Sequence, residues 1–268
     1  MDIMKCAGLK NKFPFRIGTS SYIIPADILP NIEVLAPRVD DVELLLFESD
    51  EISNMPDDDL IQKLICIGDE QDLTYTVHLP IDIRLGAVDE NERENSVQKC
   101  LRVIKLMDTV KPFAYILHFS NTSFVAMDEM NEIEWRAWLE QLDRSMQEIM
   151  DAGVAPESLC VETLSYDFAR IAPIVEKYNL SVCLDIGHIL MYGGSVKEHL
   201  DLYLSRTRVF HIHGIKDGKD HASLKYLDAA VLDMVLERIS REGEPERVVT
   251  MEVFSENDFV ESCDRLTK

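Results

Sequence analysis

The sequence predicts a single (β/α)8 barrel, an α/β fold. Eight short β-rich runs alternate with longer amphipathic stretches as far as the chain extends. The runs are nearly continuously apolar except at their ends, as parallel strands covered on both faces are. The 268 residues match the roughly 250 that one such barrel needs. A doubly wound open sheet is the rival for such a pattern. It is disfavoured because no Gly-rich phosphate loop follows the first strand. No Pro/Gly/Ser linker divides the chain, so the expected organisation is a short tail over residues 1–12 and one barrel domain over 13–268.

In chain order, residues 15–19 form the first strand. Residues 24–35 follow as the least regular helix, because Pro25 and Pro30 interrupt its pattern. Strand two is 42–48, and the helix 57–69 opens with an acidic turn that suits a helix N-terminus. Strand three, 74–78, leads to the helix 90–107, where Val97, Leu101 and Ile104 recur at helical spacing. Strand four is 114–119, and the helix 135–152 stops at Gly153, a suitable C-terminal cap. Strands 159–163, 182–186, 208–213 and 248–254 are followed by helices 168–178, 196–204, 227–241 and 256–266.

Composition narrows the function classes. At 46% hydrophobic residues the chain can build a real core, which excludes global disorder. Acids outnumber bases 49 to 27, for a net charge of −22. Long-range attraction to nucleic acid or to an anionic membrane is thereby disfavoured. A local positive site remains open to the chain if metal ions supply the charge. The six cysteines form no C-x-x-C pair, which reads as reduced thiols in a cytoplasmic protein. Residues 1–12 hold no apolar stretch of signal-peptide length, and no segment approaches a membrane span.

The polar residues concentrate at strand ends. His78 ends the third run, His118 lies near the end of the fourth, Glu162 of the fifth and Asp185 of the sixth. His211 and His213 close the seventh, and Glu252 lies near the end of the eighth. His188 follows Asp185 by three residues, and Asp220 and His221 lie in the loop after strand seven. Only His199 falls on a predicted helix. In this fold the C-terminal strand ends converge on one catalytic mouth. Imidazole nitrogen and carboxylate oxygen together suit Zn²⁺, Mn²⁺ or Fe²⁺. A single strand-end histidine is ordinarily a hydrogen-bonded structural group. So many polar groups buried at one barrel end call for a common partner, and a metal meets that need.

Other residues have plainer readings. Cys160 and Cys183 each lie two residues before a candidate ligand and read as core packing one layer deeper. Of Asp217 and Asp220, either can be a turn residue, and Asp220 is slightly favoured as a ligand. Arg84 and Lys216 can meet an anionic substrate or simply stand on the surface. Trp135 and Trp138, three apart, are expected on the barrel exterior.

The set His78, His118, Glu162, Asp185-x-x-His188, His211, His221 and Glu252 resembles the xylose-isomerase-like and type-four apurinic/apyrimidinic endonuclease TIM-barrel superfamily. The endonuclease branch holds three zinc ions. The resemblance implies that Glu162 bridges, that His78 and His118 serve one metal, that Asp185, His211 and Glu252 surround a second, and that His188 and His221 hold a third. One departure stands out. The branch has Asp-x-His after strand seven, whereas here Asp220 directly precedes His221, with an extra His213 nearby.

More narrowly, several segments resemble the bacterial cobamide-remodelling phosphodiesterase family. They are Gly18-Thr-Ser-Ser-Tyr-Ile-Ile-Pro-Ala-Asp-Ile-Leu-Pro-Asn31, Val39-Asp-Asp-Val-Glu-Leu-Leu-Leu-Phe-Glu48, Tyr75-Thr-Val-His-Leu-Pro80, Cys183-Leu-Asp-Ile-Gly-His188 and the stretch from His211 to Leu224. This resemblance implies hydrolysis of the phosphoester in the nucleotide loop of a cobamide, a small anionic substrate. The expected cofactors are two or three divalent ions, Zn²⁺ first and Mn²⁺ second, with Glu162, Glu252 and His188 as catalytic residues.

Metal-dependent phosphodiester hydrolysis is therefore the leading expectation, with the metals stabilising the attacking and leaving oxygens. Glu162, Asp185, Asp220 and Glu252 sum to −4, which two or three divalent ions match or exceed. The rival is a single-metal sugar isomerase or epimerase using Glu162, Asp185, His211 and Glu252, with the carboxylates on strands five and eight moving a proton. That reading leaves His78, His118 and His221 without a ligand role. DNA repair ranks third because of the charge. A non-enzymatic corrinoid- or metal-binding protein would show no open metal position for water.

Overall fold

The computed structural model describes residues 3, 6, 8–48, 53–121, 127–241, 243 and 246–267. Eight parallel strands close into a barrel. They are β1 (Arg16–Ser20), β2 (Asp41–Leu45), β3 (Thr74–His78), β4 (Ala114–Leu117), β5 (Leu159–Glu162), β6 (Ser181–Asp185), β7 (Thr207–Ile212) and, after a small hairpin, β10 (Val248–Met251). Each neighbours the next in sequence, and β1 closes the ring against both β2 and β10. The expected (β/α)8 barrel is the observed fold.

The outer helices are α1 (Ile28–Leu35), α2 (Asp58–Gln71), α3 (Glu90–Met107), α4 (Glu132–Asp151), α5 (Ala172–Lys177), α6 (Ile186–Met191), α7 (Val196–Tyr203), α8 (Ala229–Arg241) and α9 (Glu256–Leu266). Helix α1 starts at Ile28, four residues later than the sequence pattern suggests. Pro25 then precedes the helix, and Pro30 falls in its first turn, where a missing N–H costs no intrahelical bond. Helix α4 starts three residues early because Asn131 and Glu134 form a capping box. The stretch expected as one helix over 168–178 divides into a 3-10 turn, Phe168–Arg170, and α5, with Pro173 in the first turn of α5.

Helix α6 and the hairpin strands β8 (Gly214–Lys216) and β9 (Lys219–Ala222) have no counterpart in the sequence reading. Helix α6 follows β6 without a loop, and Asp185 caps it by accepting from the His188 N–H at 2.7 Å. Strands β8 and β9 form an antiparallel hairpin in the segment that leaves the C-terminal end of β7. Its turn holds Asp217 at φ 53° and Gly218 at φ 74°, the left-handed pair that a tight two-residue hairpin requires.

The core is layered. The main apolar cluster fills the space between strands and helices, and it includes Trp135 and Trp138 of α4, both buried and in edge contact with Tyr166. Inside the barrel, Ala114, Ile116, Cys160, Cys183 and Val209 make a separate small apolar cluster. On the opposite wall the alternating positions are polar: Asp41 and Glu43 on β2, Thr76 on β3 and Thr250 on β10, all fully buried. Ile3 and Leu9, from the stretch read as a tail, are also buried in the main core. Residues 1, 2, 4, 5 and 7 of that stretch lie outside the described residues. Among the described residues, no helix is long and apolar enough to cross a membrane.

Candidate metal centre

Barrel register brings the strand-end residues to one level. Asp185 lies beside His211, His211 beside Thr250, and His78 beside Leu45. The Glu252 N–H continues the ladder to the Ile212 carbonyl at 3.1 Å. His78, Glu162, Asp185, His211, His213 and Glu252 are buried there, and His118, His188, Asp220 and His221 are partly so.

Three groups of donor atoms result. Glu162, Asp185, His211 and Glu252 form a buried quartet whose ligand atoms all lie within 4.8 Å of one another. His78, His118 and Glu162 form a second group, and His188, His213 and His221 a third. Glu162 is the hub. Its Oε2 lies 2.9 Å from His118 Nε2, 3.5 Å from His78 Nε2 and 3.6 Å from His211 Nδ1, while its Oε1 lies 3.2 Å from His188 Nδ1.

Ring orientation follows from backbone and carboxylate partners. His78 Nδ1 lies 2.8 Å from the Leu79 carbonyl, which only accepts, so Nδ1 carries a proton and Nε2 faces the group. His211 is held the other way. Its Nε2 donates to Glu43 Oε2 at 2.8 Å, and its Nδ1 points to Glu252 Oε2 at 3.2 Å. His213 has two uses. With Nδ1 bare, it accepts the His221 N–H at 3.0 Å and turns its Nε2 proton toward Asp185 Oδ1, 3.1 Å away. With Nδ1 protonated, it faces the Gly214 carbonyl at 3.3 Å and frees Nε2 for a metal. The close approach of this ring explains Gly187, because a Cβ there would stand 2.1 Å from His213 Cε1.

Electrostatics favour a cationic occupant. Glu43, Glu162, Asp185 and Glu252 are each at most 5% exposed. Among the described residues, none of their ion pairs involves Lys or Arg. Asp185 Oδ2, His211 Nδ1, His213 Nε2 and Glu252 Oε2 are buried without a hydrogen-bond partner. Orphaned buried polar atoms of this kind are costly, and a bound cation would satisfy them together. The donor set and its orphaned atoms fit divalent metal ions.

Without a cation, His78 and His188 hold protons instead. Burial opposes the charged form of His78, but the hydrogen-bonded Glu162 and the charges of Glu43 and Glu252 outweigh it, and its pKa is raised to about 9. Burial opposes His188 likewise, and Glu162 and Asp185 raise its pKa to about 10. The carboxyl of Glu162 is lowered well below its ordinary value, because His118 and His211 overcome the cost of its burial.

The other candidates sit at the edges. Asp220 approaches His188 Nε2 at 3.7 Å and His221 Nδ1 at 3.1 Å, from the exposed rim of the third group. Asp217 is in the hairpin turn. Arg84 is occupied by the Ile81 and Ile83 carbonyls and Ser120, and Lys216 lies over the Tyr226 ring at 5.2 Å. His199 bonds the Ser195 carbonyl at 2.8 Å, one helical turn back. Cys160 and Cys183 pack in the barrel interior, and Cys183 also lies within ligand range of Glu162 and His211. Sequence reasoning missed Glu43. The signal was present: a carboxylate between Val42 and Leu44, inside an otherwise apolar run.

A profile of the xylose isomerase-like TIM barrel family matches residues 39–267. No curated protein matches the chain at a significant level. Among solved structures, a D-tagatose 3-epimerase-like protein is similar at 18% identity and TM-score 0.74, over 94% of this chain and 96% of that one. D-psicose 3-epimerase from Clostridium cellulolyticum is similar at 17% identity and TM-score 0.69, over 90% and 85%. Endonuclease IV from Thermus thermophilus is similar at 17% identity and TM-score 0.64, over 89% and 92%. At such identities the likeness establishes the barrel alone.

Proposed function

The chain belongs to the xylose isomerase-like TIM barrel family, whose members include epimerases and endonuclease IV, and from that premise we propose that it is a metal-dependent phosphodiester hydrolase. The observation that carries this reading is the two further histidine-containing groups that adjoin the Glu162–Asp185–His211–Glu252 quartet. A single-metal isomerase needs only the quartet and leaves His78, His118, His188, His213 and His221 without work. Two or three divalent ions, Zn²⁺ or else Mn²⁺, would supply Lewis acidity, lowering the pKa of water and offsetting phosphoryl charge.

The chain's own residues do the rest. Glu162 touches both histidine groups, so it ties their spacing to the quartet. Glu252 and His188 border the mouth beside it and, with Glu162, are the proposed catalytic groups. His221 and Asp220 are the most exposed of the donor side chains, and substrate is proposed to enter past them. The substrate we propose, from the resemblance of the segments around Gly18, His78, Asp185 and His211, is the nucleotide loop of a cobamide. Neither nucleic acid nor membrane is a proposed partner, given the net charge of −22, and the proposed location is the cytoplasm.

Elemental analysis of purified protein and of Glu162→Ala and His118→Ala variants tests the centre. Assays against bis(p-nitrophenyl) phosphate and a cobamide test the reaction. Two or three equivalents of metal, reduced in both variants, with diester hydrolysis, support the proposal. One equivalent that survives His118→Ala, with ketose epimerisation instead, would establish the second reading, which the complete and deeply buried quartet favours.

A further inference from the structure

Nine large hydrophobic side chains are exposed among the described residues, and five are aromatic: Tyr22, Phe47, Tyr192, Tyr226 and Phe254. All five lie in segments that leave the C-terminal end of a barrel strand. Tyr22 and Phe47 each stand two residues beyond a strand, and Phe254 three. None stands at the opposite end. Two of them touch the third histidine group. The Phe254 ring lies 4.8 Å from the His221 ring at 41°, and the Tyr192 ring lies 6.2 Å from that of His188 at 47°. With His188 and His221 5.8 Å apart, the rings run in sequence Tyr192, His188, His221, Phe254.

Their exposure is unusual for the neighbourhood. Tyr192 is 52% exposed beside His188, whose side chain is 12% exposed, and Phe254 is 40% exposed beside His221, whose side chain is 22% exposed. Packing within the fold does not account for two rings left half in water. A ligand that covers them would recover apolar area and stacking energy. The net charge of −22 offers an anionic substrate no long-range attraction, so binding strength must come from short-range contacts at the mouth.

We propose that Tyr192 and Phe254 hold a planar aromatic or heteroaromatic ring carried on one side of the phosphate ester. The phosphate position rests on the phosphodiesterase reading, whereas the ring contact stands on the side chains themselves. The ring supplies affinity, and the metal-binding groups supply the chemistry.

Isothermal titration of zinc-loaded protein compares two probes that differ by a ring, adenosine 5′-monophosphate and ribose 5-phosphate. The expected preference for the nucleotide is about tenfold, equivalent to about 1.4 kcal/mol and within the usual worth of one stacked base. Phe254→Ala and Tyr192→Ala should each shrink that preference, Phe254→Trp should keep it, and all three should keep the wild-type zinc content. In parallel, thymidine 5′-(p-nitrophenyl) phosphate and ethyl p-nitrophenyl phosphate, which share a leaving group, report turnover. Equal affinity for the two probes, no binding of the nucleotide, or a preference that survives both alanine variants overturns the ring contact. Ring-dependent binding without hydrolysis of either diester overturns the phosphodiesterase and leaves the ring contact standing.

Discussion

Replacing Glu43 should weaken metal binding without touching a candidate ligand. Glu43 is fully buried, and its Oε2 accepts from His211 Nε2 at 2.8 Å. That bond does two things. It keeps the His211 proton on Nε2, so that Nδ1 offers its lone pair to a cation held with Glu252 Oε2 and Glu162 Oε2, 3.2 and 3.6 Å away. It also raises the basicity of the ring, as outer carboxylates do for metal-binding histidines. Loss of such a partner typically costs about 10–100-fold in metal affinity. Glu43→Gln keeps an acceptor oxygen but no charge, and should fall near the tenfold end. Glu43→Leu removes both tautomer control and charge, and should approach 100-fold. The assay is competition for Zn²⁺ against a chromophoric chelator, with thermal unfolding of the metal-free proteins as the control. Glu43 is one partner of a buried pair with His211, so Glu43→Leu should also destabilise the metal-free fold, by about 3–5 kcal/mol, and zinc affinity is compared under conditions where each metal-free variant is still folded. Unchanged zinc affinity in both variants would refute the reasoning.

Further outcomes follow from the buried ionisable groups and one glycine. Burial raises the carboxyl of Asp41 to about 6 despite hydrogen bonds from Thr74 and Thr76. Its stability contribution is thus full at low pH and is lost as pH rises through about 6. The stability difference between Asp41→Asn and wild type should therefore grow in the variant's favour by about 2–3 kcal/mol from pH 4 to pH 7, and a pH-independent difference in urea melts would contradict this. In metal-free protein His78 and His188, raised to about 9 and about 10, contribute stability below pH 6.5 that is lost as pH climbs through those values. Chelated protein should lose at least about 5 °C in Tm between pH 7 and pH 10, a fall that saturating Zn²⁺ removes. Gly187→Ala should displace the His213 ring, at about 1–3 kcal/mol of overpacking, and lower metal content by one equivalent. Full metal content in that variant would show that His213 is no ligand.

The barrel was legible because its strands are apolar on both faces and each is followed by a helix with caps or periodicity. The same property hid Glu43: when both faces of a strand are buried, no alternation marks which face looks inward, and one carboxylate reads as an interruption rather than as a partner. Helix α6 escaped because six residues are too few for a helical period, and because Asp185 serves at once as strand end and helix cap. The hairpin β8–β9 carries an Asp217-Gly218 turn that was readable, but its strands are short and charged, which is the composition of a loop. Its position matters, since it brings His221 against His213 and so completes the third histidine group that the departure from Asp-x-His had left open.

The distribution of donors over separate β–α units has an evolutionary reading. The quartet comes from β5, β6, β7 and the end of β10, and it needs nothing from β3, β4 or the hairpin. His78 and His118 arrive on their own units, whereas His188 on α6 and His221 on β9 extend the units that already carry Asp185 and His211. A mononuclear and a multinuclear centre therefore differ by a handful of side chains on an unchanged scaffold. Each can be gained or lost by point substitution, with no step that passes through an unfolded intermediate. A lineage holding this barrel can move between proton transfer at carbon and hydrolysis at phosphorus by small increments. In such a lineage the histidine inventory at the strand ends should track the chemistry more closely than overall sequence similarity does.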